Sequence, residues 1–130
     1  MIPIFKPKIS LRAKKNVVDC LKTSWISSQG KFIKKFEKKL SQFHNMNYCV
    51  ATSSCTTALH LALMSLELKK GDEVICPALS FIAPANMVVL SNLKLVLVDI
   101  EPKTLTIDVD QIEKKITKKT KAILVVHQFG

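Results

Sequence analysis

The stretch DEVICPALSFIAPANMVVLSNLKLVLVD, residues 72–99, decides the fold class. Residues 73–76 begin a short, mainly apolar strand that Pro77 ends. Residues 94–98 form a second such run, which ends at Asp99. Between them, residues 85–90 are apolar over a length that suits a buried helix. Continuous apolar strands separated by helices are typical of a parallel sheet that is covered on both faces. We therefore predict an α/β fold.

The neighbouring segments continue this alternation of helix and strand. Residues 58–68 are apolar nearly all round, which predicts a helix that is buried on most sides. Residues 47–52 are short and β-prone, and residues 122–126 are continuously apolar and predict a further buried strand. Asp108 or Asp110 can cap a short helix between these strands.

The first 45 residues indicate helices. Ser10 is a suitable N-cap for an amphipathic helix over residues 11–23, and a polar loop over 24–30 follows. A second helix has lysines on one face and apolar side chains on the other: Phe32, Ile33, Phe36, Leu40 and Phe43. We predict a helical segment over 1–45 and an α/β portion over 46–130. The last strand has no closing helix, so we expect an N-terminal fragment of a larger domain, incomplete as a sheet.

Composition excludes several classes of protein. The chain has 130 residues, 48% of them hydrophobic and 23% charged, which excludes intrinsic disorder. The formal net charge is +10, yet 19 of the 20 basic residues are lysines and Arg12 is the exception. Readers of bases and phosphates favour the planar guanidinium fork, and these lysines are scattered along the chain. We therefore expect no nucleic-acid partner.

Cysteines and apolar stretches indicate the compartment. The four cysteines form neither a CxxC pair nor a ligand set with histidine, so we expect neither zinc nor disulfides, and a reducing cytoplasm. The N-terminus has prolines and no uninterrupted apolar core, so we expect no signal peptide. Residues 45–66 and 74–93 lack charged side chains, but polar residues and prolines interrupt them. We expect no membrane partner.

Ser53-Ser54-Cys55-Thr56-Thr57 opens the buried helix that follows residues 47–52. Ligands of open α/β sheets bind beyond the carboxyl ends of the strands, and the first amides of a helix have no intrahelical acceptor. These amides, with nearby hydroxyls, can bind a phosphate without a lysine. The alternative is that Ser53 or Ser54 only caps the helix. Phe81, a few residues beyond a strand end, is expected either to pack in the core or to face a flat ligand.

Five ordered segments resemble the beginning of the DegT/DnrJ/EryC1/StrS aminotransferases, sugar aminotransferases of the fold type I pyridoxal-phosphate class. The segments are TSWISSQGKFIKKFEKKL at 23–40, NYCVATSSCTTALHLAL at 47–63, KKGDEVICPALSFIAPANMVVL at 69–90, LVLVDIEPKTLTID at 95–108 and TKAILVVHQFG at 120–130. The first two are most similar to the perosamine-synthase-like branch of that family. The resemblance covers the whole chain but only the N-terminal portion of the family.

This resemblance implies a three-layer large domain and a homodimer that aminates a keto group of a nucleotide-linked sugar, usually with glutamate as amino donor. It implies that Ser54, Cys55 and Thr56 contact the phosphate of pyridoxal 5'-phosphate and that Phe81 stacks on its ring. Many members have Gly or Ala where Cys55 stands. The resemblance places Trp25 and Ser27 in a loop near the substrate entrance.

The resemblance also implies what this chain lacks. The Schiff-base lysine of the family, and the acidic residue that keeps the pyridine nitrogen protonated, correspond to positions beyond Gly130. We therefore expect no catalytic residue in this chain and no activity of the chain alone, unless a C-terminal half complements it. Two alternatives stay open: a non-catalytic α/β module that binds a phosphorylated ligand, and a basic protein that binds nucleic acid or a membrane surface.

Overall fold

The computed structural model describes residues 6–128. The first five residues of the N-terminal stretch that was considered as a signal peptide, and the last two residues of the segment 120–130, lie outside the described residues. The chain divides between Ala51 and Thr52 into two compact units. The predicted division after residue 45 lies a few residues earlier, where the second helix has ended. The two units are described one after the other.

The first unit contains two helices, α1 over Leu11–Lys22 and α2 over Lys31–Phe43. Ser10 caps α1 as predicted, because its Oγ accepts a hydrogen bond from the Ala13 amide at 3.1 Å. The Ala51 amide donates to Glu37 Oε1 of α2 at 2.9 Å, which attaches the end of the unit to this helix. No residue of either helix is buried among the described residues, although both helices are amphipathic.

The second unit is a three-stranded parallel sheet with three helices. Its elements in chain order are α3 over Cys55–Ser65, β1 over Glu73–Pro77, α4 over Ile82–Leu90, β2 over Lys94–Val98, α5 over Val109–Lys115 and β3 over Thr120–Ile123. The sheet order is β2-β1-β3, and β1 is parallel to both neighbours. The predicted α/β class is confirmed.

The core of this unit lies on both faces of β1, all five residues of which are buried. Val74 and Cys76 face one side and pack with Leu63 of α3 and Val88 of α4. Ile75 faces the other side, where Val98, Ile107 and Ile112 of α5 cover it. The alternation follows from the two-residue period of a strand, and burial on both faces explains why β1 is apolar from Val74 onward.

A buried carboxylate joins the amino ends of the three strands. Glu73 is 4% exposed, and its Oε1 lies 2.9 Å from Lys94 Nζ at the start of β2. Its Oε2 accepts hydrogen bonds from the hydroxyls of Thr117 at 2.6 Å and Thr120 at 3.4 Å. The Thr117 hydroxyl, followed by Lys94, lowers the pKa of the Glu73 carboxyl. The charged form therefore holds the sheet edge together.

Two sequence-based expectations differ from the structure. Residues 47–52 form no strand in the described part of the chain, because the sheet described in the second unit has no strand that pairs with them. The last strand is Thr120–Ile123 rather than 122–126, because its pairing with β1 begins opposite Glu73. No helix within residues 6–128 is long and apolar enough to cross a membrane.

Candidate functional site

The N-termini of α3 and α4 lie at the carboxyl edge of the sheet. α3 ends at Ser65 and leads through a short connection into the amino end of β1, so α3 runs against the strand direction. Eleven helical residues span about 16 Å, similar to the length of the five-residue strand. α4 begins just after the carboxyl end of β1 and returns to the amino end of β2. Ser54 and Phe81, the residues before these two helices, therefore belong to one edge.

A capping box fixes the start of α3. Ser54 Oγ accepts a hydrogen bond from the Thr57 amide at 3.2 Å, and Thr57 Oγ1 accepts one from the Ser54 amide at 3.1 Å. The Thr57 hydroxyl donates to the Ser54 carbonyl at 2.8 Å. Ser54 therefore caps the helix. Its Oγ also lies 3.2 Å from Thr57 Oγ1, so its hydroxyl hydrogen can be donated to a ligand only by turning away from that contact. Thr57, which the sequence analysis grouped with the phosphate donors, is committed to the cap.

The next two amides are available for an anion. Cys55 and Thr56 are the first two residues of α3, and neither backbone N–H has an acceptor among the described residues. Cys55 is exposed and Thr56 is half-buried. The helix dipole gives this end a positive potential, and no side chain of the helix itself competes for it, since the first turn contains no acidic residue. The described residues fit a phosphate group.

Phe81 is exposed at the same edge. It precedes the first residue of α4 in extended conformation, and 69% of its surface is accessible. It belongs to neither of the two buried clusters, so the core-packing alternative for this residue is wrong. An exposed aromatic face at the same edge as free helix amides is suited to a flat ligand that carries a phosphate.

The lysines of the second unit are concentrated at the amino edge of the sheet, whereas its carboxylates occur at both edges. Lys103, in the loop that follows the carboxyl end of β2, is the one lysine of residues 52–128 at that edge. The other eight lie at or next to the amino ends of the strands: Lys69, Lys70, Lys94, Lys114, Lys115, Lys118, Lys119 and Lys121. The separation of Lys103 from the other lysines could not be predicted from sequence spacing, because it depends on whether a loop lies at the amino or the carboxyl end of its strand.

Glu101 holds the turn after β2. Its Oε2 accepts hydrogen bonds from the amides of Lys103 at 3.0 Å and Thr104 at 2.7 Å. These two amides, in that order, lower the pKa of the Glu101 carboxyl, which favours a charged turn residue over a proton donor. Asp99 Oδ1 accepts from the next amide, of Ile100, at 2.8 Å. Both acids therefore have local structural partners.

Trp25 and Ser27 belong to the first unit, in the loop between α1 and α2. Trp25 is 56% exposed, and Ser27 Oγ accepts a hydrogen bond from the Gln29 amide at 3.3 Å. Both line a small cavity of about 210 Å³ that the start of α2 closes. Gly30 ends the loop, and a Cβ there would lie 3.6 Å from the carbonyl oxygens of Trp25 and Ser27. The structure therefore holds the two side chains around one cavity.

Comparison with curated proteins gives long matches to nucleotide-sugar enzymes. The GDP-perosamine synthase of Escherichia coli O157:H7 is 42% identical over 129 residues, which are 99% of this chain and 35% of that enzyme. The GDP-perosamine synthase of Vibrio cholerae is 37% identical over 130 residues, again 35% of its length. The chain thus spans about a third of the length of the curated relatives that it matches.

Comparisons with solved structures and with family models also match enzymes of this kind. The Escherichia coli GDP-4-keto-6-deoxy-D-mannose-3-dehydratase with bound hydrated PLP matches 95% of this chain, and 33% of its own, with a TM-score of 0.83 and 30% identity. The family model of the DegT/DnrJ/EryC1/StrS aminotransferases matches residues 7–130. The chain therefore belongs to the DegT/DnrJ/EryC1/StrS aminotransferase family.

Proposed function

We propose that this chain forms the cofactor-receiving part of a pyridoxal-phosphate-dependent aminotransferase that acts on a keto group of a nucleotide-linked sugar. The observation that carries the proposal is the family match over residues 7–130, combined with free helix amides at the carboxyl edge of a parallel sheet. Relatives called GDP-perosamine synthases support the substrate class, and a neighbour with bound PLP supports the cofactor. A solved neighbour that holds a trapped PLP-glutamate geminal diamine supports glutamate as amino donor. The homodimer rests on the family resemblance alone, and the cytoplasmic location rests on the cysteine pattern.

The start of α3 would hold the phosphate. The amides of Cys55 and Thr56 donate to phosphate oxygens, and the hydroxyls of Ser54 and Thr56 add two further donors. The capping box keeps these groups in place before the ligand arrives, which lowers the entropic cost of binding. Cys55 contributes its backbone rather than its thiol. No charged side chain is needed, because the helix dipole already favours the anion.

Phe81 would lie against one face of the ring. Its exposed side chain at the start of α4 excludes water from that face and fixes the plane in which the ring lies. Trp25 and Ser27 are proposed to lie near the sugar substrate. When bound, pyridoxal phosphate supplies an aldehyde that takes up amines and a ring that withdraws electrons from the carbon next to them.

The lysine that attaches the cofactor is proposed to lie outside this chain. At the carboxyl edge of the second unit, residues 52–128 offer Lys103 alone, on an exposed turn that Glu101 holds. Catalysis then needs a complementing polypeptide. Borohydride reduction of the 130-residue chain with pyridoxal phosphate should label no single lysine selectively, and selective labelling of one lysine would contradict this part of the proposal.

Protection of the Cys55 thiol tests the phosphate site. Iodoacetamide labelling of the 130-residue chain, resolved by peptide mass spectrometry, should slow at Cys55 in the presence of pyridoxamine 5'-phosphate or inorganic phosphate. Pyridoxamine without a phosphate should give no protection, and labelling of Cys20 should not change. Pyridoxamine compounds are chosen because they have no aldehyde to react with lysines. Equal labelling of Cys55 with and without the phosphate compounds would refute the site.

Two pairs of variants assign the roles. Thr56→Val should weaken phosphate protection several-fold, whereas Ser65→Ala at the other end of α3 should not. Phe81→Ala should weaken the protection of Cys55 by pyridoxamine 5'-phosphate. It should not change the protection by inorganic phosphate, because stacking involves the ring only. Ile82→Ala, an equally exposed neighbour, is the control for Phe81. An equal loss for both ligands in Phe81→Ala would contradict stacking.

A further inference from the structure

The positive charge of the chain is concentrated in its first unit. Residues 1–51 contain eleven basic side chains against two acidic ones, Asp19 and Glu37, for a net charge of +9. Residues 52–130 contain nine lysines against eight acidic residues, for a net charge of +1. The lysines are scattered along the chain, but the division into two units shows that acidic residues balance their charge in the second unit only. Attraction for an acidic partner therefore belongs to α1, α2 and their loops.

An apolar stripe runs along the whole length of α2. Phe32, Phe36, Leu40 and Phe43 follow one another at helical spacing and line one cavity of about 830 Å³, the α1–α2 groove. Phe36 is 52% exposed and Phe43 is 82% exposed. Thirteen residues of helix are about 20 Å long. Aromatic side chains left this accessible over such a length indicate a surface that something covers.

Cations and amides border the same groove. Lys35 and Lys39 of α2 line it beside the apolar stripe, and Arg12 and Asn16 of α1 line it as well. Among its lining residues in the described chain there is no carboxylate, and the one ion pair described in this unit joins Lys31 to Asp19 elsewhere. The groove therefore combines an apolar floor with three cations that have no acidic partner in the described residues.

The charge and the length of the groove favour a peptide segment over a second copy of the chain or a small molecule. A second copy of this unit would bring another net charge of +9 against the groove, which opposes association. A single small molecule would leave much of the 20 Å stripe exposed. An amphipathic segment with apolar side chains at helical spacing and carboxylates beside them matches both the floor and the cations. Relatives of this chain are about three times as long, so proteins of that length have polypeptide to supply it.

We propose that the α1–α2 groove docks an acidic, amphipathic segment of polypeptide supplied by the remainder of a protein of the relatives' length. The segment places apolar side chains on Phe36 and Phe43 and carboxylates near Arg12, Lys35 and Lys39. This interface is independent of the phosphate site, because it uses no residue of the second unit. It gives the first unit an assembly role beside the cofactor-binding role of the second.

Co-expression tests the proposal. The 130-residue chain is produced together with the part of the Escherichia coli O157:H7 GDP-perosamine synthase that does not align with it. The two polypeptides should co-purify, and the Lys35→Glu/Lys39→Glu double variant should weaken the complex at least tenfold at low salt. Lys69→Glu/Lys70→Glu, the same change of charge in the second unit, should leave it unchanged. Phe36→Ser should also weaken it, and the exposure of Phe36 makes loss of the fold unexpected.

Peptide binding tests the same proposal if the co-expressed part of the enzyme is insoluble. Overlapping 20-residue peptides from the same part of that enzyme are titrated against the labelled chain, and those that bind should carry a net negative charge. Absence of both co-purification and peptide binding would overturn the proposal, as would equal binding by the Lys35/Lys39 variant. Displacement of the bound peptide by GDP or RNA would instead mark the groove as a nucleotide site. If the chain self-associates and the Lys35→Glu/Lys39→Glu variant does not, the groove is an interface between two copies of the chain. Displacement by GDP or RNA, or this self-association, would each refute the docking proposal.

Discussion

Thiol reactivity of Cys76 reports directly on whether β1 is enclosed by its helices. Cys76 is 1% exposed, and burial raises its pKa from 9.0 to about 11. At pH 8 its thiolate fraction is then about 0.001, against about 0.1 for a thiol with the usual value, a difference of about 100-fold in the reactive form. Removal from solvent adds to this factor, because the reagent reaches the sulfur only when the core opens. We therefore expect Cys76 to react at least 100-fold more slowly than Cys55.

Iodoacetamide labelling of the native chain at pH 8, with quantification of each cysteine peptide, measures this ratio. The sign of the pH effect follows from the raised pKa. Folding favours the protonated thiol, so the stability that this preference contributes is complete below about pH 9 and is lost as the pH rises toward 11. The ratio should collapse in denaturant, where both thiols are exposed. Native labelling of Cys76 within tenfold of Cys55 would show that α3 and α4 do not enclose β1 in this chain.

Three further changes test the sheet by urea denaturation. Ile75→Ala should lower the free energy of unfolding by about 2–5 kcal/mol, because Ile75 is fully buried, whereas Ile123→Ala at a 43% exposed position should cost about 1 kcal/mol or less; equal losses would contradict the described core. Gly71→Ala should destabilise by about 1 kcal/mol, since Gly71 has a φ of +88°, and an unchanged midpoint would refute this. Glu73→Gln should be less stable at pH 7. Because the Thr117 hydroxyl lowers the pKa of Glu73, the wild-type chain should lose this advantage as the pH falls below about 4.5, and parallel pH profiles of the two proteins would contradict it.

The strands of the core could be predicted from the sequence because their apolar runs are uninterrupted. Residues 94–98 form β2 with the predicted bounds, and β1 differs by the inclusion of Pro77 alone. Residues 47–52 have similar strand propensity, yet a strand exists only where another strand offers hydrogen bonds, and propensity does not show which neighbours are present.

Part of the candidate phosphate site could be predicted from local sequence. A helix start rich in Ser and Thr has free amides wherever it occurs, so the position of residues 54–56 followed from local chemistry. The exposure of Phe81 did not, because burial of a single aromatic depends on which elements pack over it. Thr57 could not be assigned to the cap without the geometry of its hydroxyl, which is 2.8 Å from the Ser54 carbonyl.

The separation of lysines from the carboxyl edge has a consequence for the fidelity of cofactor loading. A free aldehyde reacts with any accessible amine, and this chain contains nineteen lysines that could capture it unproductively. Within the second unit, eight of the nine lysine side chains lie at the amino edge of the sheet, so an aldehyde held as proposed at the start of α3 would meet Lys103 as its one lysine competitor at the carboxyl edge of residues 52–128. Under the proposed binding mode, the second unit would leave the aldehyde largely to the amines of the reaction.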